Sequence, residues 1–261
     1  MKAAIVYFSG TGNTYKVAEV FKERLLTANY KVDLVDISQW SSKLRDYDLF
    51  IIGSPTYSKV ASAKVFNFID EYIEYEDNKS KDFITYTTHS WGESYGHMTL
   101  KKHLNKSGYN VISAQSFLMP NGFYMMNHEK NTEIEIQSMY RDVIKKINNM
   151  MEFYFNGKPQ IDKKSIIKQV LFETMYKALN KGWIPNFANK YLKVDGDKCT
   201  LCTLCVKKCP NHNIKIRDNK IIFNDHCLAC AKCLNICPKN AYLAKNKSFE
   251  QYNLVNTKII K

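Results

Sequence analysis

Eight cysteines in this 261-residue chain all lie between Cys199 and Cys237. They form two sets with the same spacing, C-x2-C-x2-C-x3-C-P. The first is Cys199, Cys202, Cys205 and Cys209-Pro210; the second is Cys227, Cys230, Cys233 and Cys237-Pro238. The second set starts 28 residues after the first, so the window is an internal repeat. Two-residue gaps let three thiolates converge from a curling loop onto one centre. Proline after the fourth cysteine turns the chain the other way. This is the ligand pattern of a [4Fe–4S] cubane, once per set. Structural zinc prefers cysteine pairs parted by a longer spacer. Disulfide scaffolds are usually short and secreted, whereas Met1 here leads straight into a strand-like run, Ala3–Phe8, with no signal-peptide pattern.

A second constellation lies near the N-terminus. Ser9-Gly10-Thr11-Gly12-Asn13-Thr14 follows the first strand-like run and opens a helical one. Hydroxyls and backbone N–H groups at a helix N-terminus bind an anion without a cation. The glycines permit close backbone approach. The loop is neither G-x-G-x-x-G nor a P-loop, which disfavours a dinucleotide or nucleoside triphosphate.

These residues need elements to position them. Strand signals fall at Lys2–Phe8, Lys31–Asp36, Leu49–Gly53, Phe83–Thr87 and Val111–Phe117. Helical periodicity falls between them, at Thr14–Thr27, Ala63–Ile73, Ser94–Lys106 and Thr132–Phe155. Alternating strands and helices imply a doubly wound parallel sheet with right-handed crossovers. Five strands suit the order 2-1-3-4-5. Residues 157–163, from Gly157-Lys158-Pro159 onward, read as a break. Ser165–Gly182 reads as an amphipathic helix with Ile166, Ile167, Val170, Leu171, Met175, Tyr176 and Leu179 on one side, packing the two parts together. A docking helix for a partner is its alternative. The expected domains are 1–157, a linker 158–192, the cysteine domain 193–246 and a polar tail 247–261, loose or lying along the surface.

Formal net charge is +13. Residues 1–161 hold 19 basic and 18 acidic side chains, and residues 162–261 hold 19 and 7, so the excess belongs to the C-terminal part. A [4Fe–4S]2+ core with four thiolates is about −2 overall, so part of the excess offsets cluster charge. The rest suits docking of an acidic redox partner. No nucleic-acid motif accompanies the charge. No run is long and apolar enough for a membrane span, and a cytoplasmic location is expected.

The cysteine window, over roughly 193–246, resembles bacterial two-[4Fe–4S] ferredoxins. In that family the fourth cysteine of each set ligates the other cluster. The resemblance implies one cluster on Cys199, Cys202, Cys205 and Cys237, and another on Cys227, Cys230, Cys233 and Cys209. One departure is visible: the alanine of the Cys-Pro-x-x-Ala turn is present as Ala241, but Asn213 stands in the first copy. His226 beside Cys227 is a candidate donor to a cluster sulfur, or a solvated loop residue.

Ser9–Thr14 resembles the flavodoxin FMN-phosphate fingerprint, Ser/Thr-x-Thr-Gly-x-Thr. That resemblance implies phosphate contacts from Ser9, Thr11, Gly12, Asn13 and Thr14. It also places the flavin ring at two later loops, Gly53-Ser54-Pro55-Thr56-Tyr57 and Thr88-His89-Ser90-Trp91-Gly92. Tyr57 and Trp91 are candidates to flank the ring, with Tyr95 nearby. Ser54, Pro55, Thr56, Ser90 and Gly92 are candidate backbone contacts. Asn121-Gly122 is a candidate closing segment, and His89 a candidate proton donor.

The whole chain resembles flavodoxin–ferredoxin fusions of anaerobes, the EFR1-family ferredoxins. The resemblance implies a five-stranded flavodoxin-like α/β domain and a small α+β ferredoxin-like domain. It implies FMN and two [4Fe–4S] clusters as cofactors. The expected function is electron transfer between clusters, FMN and a redox partner protein. The alternative is an FMN-dependent oxidoreductase that reduces a small-molecule acceptor and is fed through the clusters. No nicotinamide-binding motif is visible.

Overall fold

β-branched runs alternating with amphipathic ones build the fold in chain order. A computed structural model describes residues 1–126, 129–158 and 160–252. Pro159 of the expected break and residues 253–261 of the expected tail lie outside the described residues. β1 (Lys2–Tyr7), α1 (Asn13–Thr27), β2 (Lys31–Asp36) and β3 (Leu49–Tyr57) come first. A two-residue β4 (Val60–Ala61) folds back on β3, and α2 (Ala63–Tyr72) and the single turn α3 (Tyr75–Asn78) follow. β5 (Asp82–His89), α4 (Gly96–Lys106) and β6 (Asn110–Leu118) complete the alternation. A 3-10 turn at Tyr124–Met126 precedes α5 (Glu133–Phe155), β7 (Gln160–Ile161), α6 (Ile166–Asn180) and α7 (Phe187–Tyr191). The C-terminal part holds β8 (Leu192–Val194), α8 (Leu204–Lys207), β9 (Ile214–Arg217), β10 (Lys220–Phe223), α9 (Lys232–Ile236) and β11 (Tyr242–Ala244).

The main sheet runs β2-β1-β3-β5-β6-β7, parallel throughout, with β4 antiparallel on β3. Counted among themselves, the five long strands have the expected order 2-1-3-4-5. The short β7 adds an edge strand that the sequence pattern does not reveal. Its Gln160 N–H donates to Ser113 Oγ at 3.2 Å. Strands buried on both faces read as continuous apolar runs, and Ala3–Val6 and Leu49–Ile52 are all fully buried. α1 and α5 cover one face through Val17, Phe21, Leu25, Val143 and Ile147. α2 and α4 cover the other through Val65, Ile69, Leu100 and Leu104. α5 starts in a reciprocal capping box between Thr132 and Glu135.

The cysteine part has two antiparallel pairs, β8 with β11 and β9 with β10. The turn of β9–β10, Asp218-Asn219, is left-handed at both residues, as a two-residue hairpin requires. The 28-residue repeat extends to the backbone. Leu201 and Ala229, Thr203 and Ala231, and His212 and Asn240 are equivalent pairs, and all six have positive φ. Non-glycine residues adopt that region only where surroundings enforce it.

α6 sits differently from its apolar pattern. Ile166, Ile167, Val170, Leu171 and Met175 are exposed, Ile167 by 84%. The buried side instead carries Gln169, Phe172 and Tyr176. Tyr176 is fixed because its hydroxyl accepts the Ala63 N–H at 3.1 Å. Phe172 is fixed by stacking on Tyr95 at 5.3 Å. A core cluster joins the two parts: Val60 and Met125 pack with Tyr176, Ile184, Phe187, Ala229 and Leu234.

Candidate cofactor sites

Each cysteine loop curls around its own cavity. One is lined by Cys199, Cys202, Cys205 and Cys237. The other is lined by Cys209, Cys227, Cys230 and Cys233. Each cavity therefore takes three cysteines from one set and the fourth from the other. The fourth sulfurs are held alike: Asn213 N–H donates to Cys209 Sγ at 3.2 Å, and Ala241 N–H to Cys237 Sγ at 3.4 Å. Four soft sulfur donors around a largely apolar hollow fit an iron–sulfur cluster. Burial pushes the thiol of Cys230 up to about 12 and raises Cys205, Cys227 and Cys233 too. These side chains become thiolates only with a compensating cation.

Among the described residues, the bonds of His226 go to Asn213, Asp225 and the His212 carbonyl. Its ring lies on the surface against Asp225 and the His212 carbonyl. Its backbone N–H donates to Asn213 Oδ1 at 2.9 Å.

The Ser9–Thr14 loop is assembled at the C-terminal end of β1. Gly12 is the N-cap of α1 with φ of 101°, a conformation that suits glycine. Ser9 Oγ accepts the Gly12 N–H at 3.1 Å. The first turn of α1 carries no acidic residue, so nothing there repels an anion. Hydrogen bonds join this loop to the others. Thr14 Oγ1 and Thr88 Oγ1 are 2.8 Å apart, Thr56 Oγ1 donates to the Thr88 carbonyl at 3.1 Å, and Asn13 Nδ2 donates to the Pro120 carbonyl at 2.7 Å. The Asn13 side chain is thereby engaged within the protein.

A cavity of about 380 Å³ opens over these loops, within the range of ~300–1,000 Å³ usual for small-molecule sites. Of the sequence-derived candidates, Ser9, Thr11, Asn13, Thr14, Pro55, Thr56, Tyr57, Ser90 and Trp91 line it. His89, Asn121, Gly122 and Phe123 line it too. Gly12, Ser54, Gly92 and Tyr95 do not. Gly12 lines the neighbouring cleft on the outer side of the loop. Ser54 is fully buried, with its hydroxyl bonded to the Pro55 carbonyl and the Ser62 N–H. Tyr95 is 1% exposed, its ring on Phe172 and its hydroxyl on Glu93 at 2.7 Å. It braces the ring loop from behind. Trp91 is 63% exposed, with the Lys59 ammonium 5.3 Å from its ring centroid.

The cavity roof comes from elsewhere. Trp183, Ile184, Ala229 and Cys230 close it from the linker and the cysteine domain. A Cβ on Gly10 would lie 2.2 Å from the Cys230 carbonyl oxygen. The tight approach at that glycine is thus to the cysteine loop. Cys230 lines both this cavity and the cavity of the second cysteine set.

The segment after β11 is another contributor that the sequence pattern does not signal. Gln251 Nε2 donates to the carbonyls of Leu234 and Cys237, and the Tyr252 hydroxyl donates to Asn13 Oδ1 at 2.8 Å. Of the expected tail, Gln251 and Tyr252 are therefore a strap between the cysteine part and the phosphate loop. Tyr252→Phe is expected to weaken FMN binding about fivefold, the effect of ~1 kcal/mol for one hydrogen bond. Fluorescence titration of the flavin-free protein with FMN measures it, and an unchanged Kd would show that the strap does not hold the loop.

His89 is held neutral: burial pulls its pKa down to about 4. At pH 7 it carries no ionised proton to deliver. A depressed folded-state pKa gives stability that is full above the unfolded value of ~6.5 and is lost as pH falls through the folded one. His89→Gln is expected to flatten the fall of Tm between pH 6.5 and 4. A wild-type slope in the variant would assign the fall to other groups.

Sequence comparison agrees with this division. Residues 4–132 match the family model of the flavodoxin domain, and residues 198–242 match that of the 4Fe-4S dicluster domain. The molecule is thus of the class that transfers electrons with flavin and iron–sulfur groups. The chain is a flavodoxin–ferredoxin fusion, in which a flavodoxin domain implies FMN and eight cysteines imply 4Fe–4S clusters.

Among solved structures, a flavodoxin from the domain Archaea is 20% identical, covering 57% of this chain and 99% of its own, with TM-score 0.43. Oxidised Flavodoxin 1 from Bacillus cereus is 14% identical, covering 55% and 95%, with TM-score 0.40. Two-electron reduced Megasphaera elsdenii flavodoxin is 24% identical, covering 42% and 81%, with TM-score 0.37. No curated protein matches the chain. Among the described residues, no helix is long and apolar enough to cross a membrane.

Proposed function

We propose that this chain is an internal electron relay. It binds two [4Fe–4S] clusters and one FMN, and connects them to a redox partner protein. The observation that carries this is Cys230, which lines the second-set cavity and the loop cavity at once. When bound, clusters carry single electrons and flavin carries one or two, so the pair converts one kind of traffic into the other.

The chain's own residues have separate tasks in this proposal. Cys199, Cys202, Cys205 and Cys237 hold the outer cluster, nearer the surface through the exposed Cys202. Cys209, Cys227, Cys230 and Cys233 hold the inner one. Ser9, Thr11, Gly12, Asn13 and Thr14 hold the phosphate, chiefly through backbone N–H groups and hydroxyls. Pro55, Thr56, Tyr57, Ser90 and Trp91 border the ring. Tyr57 lines the cavity together with Cys230, and both pack against the same core cluster. Trp183 and Ile184 line the cavity from the segment before the cysteines. A roof built from the linker and the second cysteine loop leaves less space for a separate substrate, which favours the relay over a small-molecule reductase. The proposed units are 1–157, 158–192, 193–246 and 247–261, with the surplus of lysines after residue 161 as the face for an acidic partner.

Anaerobic purification with iron, sulfide and flavin quantitation tests the composition. About eight iron and one FMN per chain are expected. About four iron in a fully reconstituted sample, or no flavin, would overturn it. Steady turnover of a small-molecule acceptor without any protein partner would favour the reductase.

A further inference from the structure

The two halves of the cysteine repeat differ at one polar position. Asn213 and Ala241 are equivalent, four residues after Cys209 and Cys237. Both donate their backbone N–H to the preceding cysteine sulfur. Ala241 ends in a methyl group and is fully buried. Asn213 is 1% exposed and brings a carboxamide into the same kind of place. It lines the cavity of Cys209, Cys227, Cys230 and Cys233.

The rest of its polar atoms are taken. Oδ1 accepts the His226 N–H at 2.9 Å, and the backbone carbonyl accepts the Asn224 N–H at 2.8 Å. Nδ2 alone is buried without a partner. The amide cannot be turned around, because that would set Nδ2 against the His226 N–H, donor against donor. A buried amide donor with no protein acceptor, on a residue that lines the four-cysteine cavity, points at an acceptor held in that cavity, which for a cluster is a sulfur. Packing alone does not call for the carboxamide, since alanine suffices at the equivalent site.

We propose that Asn213 Nδ2 donates a hydrogen bond to a sulfur of the cluster held by Cys209, Cys227, Cys230 and Cys233, and so raises that cluster's reduction potential. This rests on the two-cluster proposal above. Reduction adds negative charge, which a donor to sulfur stabilises. The neighbouring position is exchanged in the opposite sense. Ile214 stands where the second copy has Tyr242, whose buried side chain lines the other cavity beside Cys205. Each cavity is thus lined by one polar side chain from a different position of the repeat, Asn213 in one and Tyr242 in the other.

The test is an anaerobic redox titration of the full chain followed by EPR, after iron has been quantified. In Asn213→Ala, one cluster wave is expected to move down by about 59 mV, a tenfold change for one electron. The other wave stays. The wave that moves is the one absent from Cys209→Ser. Two unmoved waves at full iron content would overturn this proposal alone. So would movement of the wave that survives in Cys209→Ser. Wild-type protein with only about four iron would overturn the two-cluster proposal and this one with it. A second measurement needs no variant: wild-type chain labelled with 15N in asparagine side chains is expected to show nitrogen coupling to the reduced inner cluster. Absence of that coupling would overturn the hydrogen bond.

Discussion

Replacing Cys209 by serine is expected to remove the four-iron cluster shared with Cys227, Cys230 and Cys233, although Cys209 belongs to the first sequence set. Cys209 lines the second-set cavity, and Cys237 lines the first. Iron should fall from about eight to about four per chain. The matching of variants gives the sharper readout. Cys209→Ser and Cys230→Ser should leave one and the same EPR spectrum. Cys237→Ser and Cys202→Ser should leave the other. Pairing of Cys209→Ser with Cys202→Ser instead would mean that each set closes its own cluster. The crossing also has a folding consequence. Each cavity takes cysteines from both halves of the repeat, so loss of either four-cysteine ligand set is expected to loosen the β8–β11 and β9–β10 pairs together.

Gly10→Ala is the second large effect. An added Cβ would sit 2.2 Å from the Cys230 carbonyl oxygen and 3.0 Å from its Cβ. The nearest atom is backbone, and cannot swing aside as a side-chain tip does. The phosphate loop and the cysteine loop must therefore part, at the ~1–3 kcal/mol typical of overpacking. Iron content should stay near the wild-type value, because no ligand changes. Electron exchange between inner cluster and flavin should slow by at least an order of magnitude, because the domains separate where the two cavities meet. Wild-type exchange in Gly10→Ala would mean that this contact does not set the distance. A calorimetric trace with unchanged Tm would mean that the two loops part without cost.

Much of this was legible in the sequence wherever the chemistry is local. The cysteine spacing carries its own geometry, and the left-handed residues Leu201, Thr203, Ala229 and Ala231 repeat as the cysteines do. The Ser9–Thr14 loop is local too, since its residues are consecutive and follow the first strand. Alternating periodicity gave the five long strands and their order.

What was not legible depends on distant partners. Tyr95 lies close in sequence to the ring loop, and proximity suggested a ring contact. Its backbone N–H bonds to the Lys59 carbonyl, which turns the side chain inward onto Phe172 of α6. In α6, hydrophobicity identified a stripe but not what would cover it. Aromatic contacts of Phe172 and the Tyr176 hydroxyl bond decided the buried side, and the aliphatic stripe stayed outside. Trp183, Ile184 and Tyr252 reach the loops at the C-terminal ends of the strands only because the cysteine part docks there, and no local pattern encodes docking. Gly10 was legible as a close-approach glycine, but its partner proved to be Cys230.

The cysteines look at first like a free-standing ferredoxin. Their placement makes the second-set cavity and the cavity over the Ser9–Thr14 loop neighbours with a shared wall at Ala229 and Cys230. Rapid photoreduction of the loaded protein, with absorbance followed at cluster and flavin wavelengths, tests this most directly. Electrons should redistribute between cluster and flavin at a first-order rate that does not change over a tenfold range of protein concentration. A rate that rises in proportion to concentration would show exchange between molecules, and would contradict the internal relay.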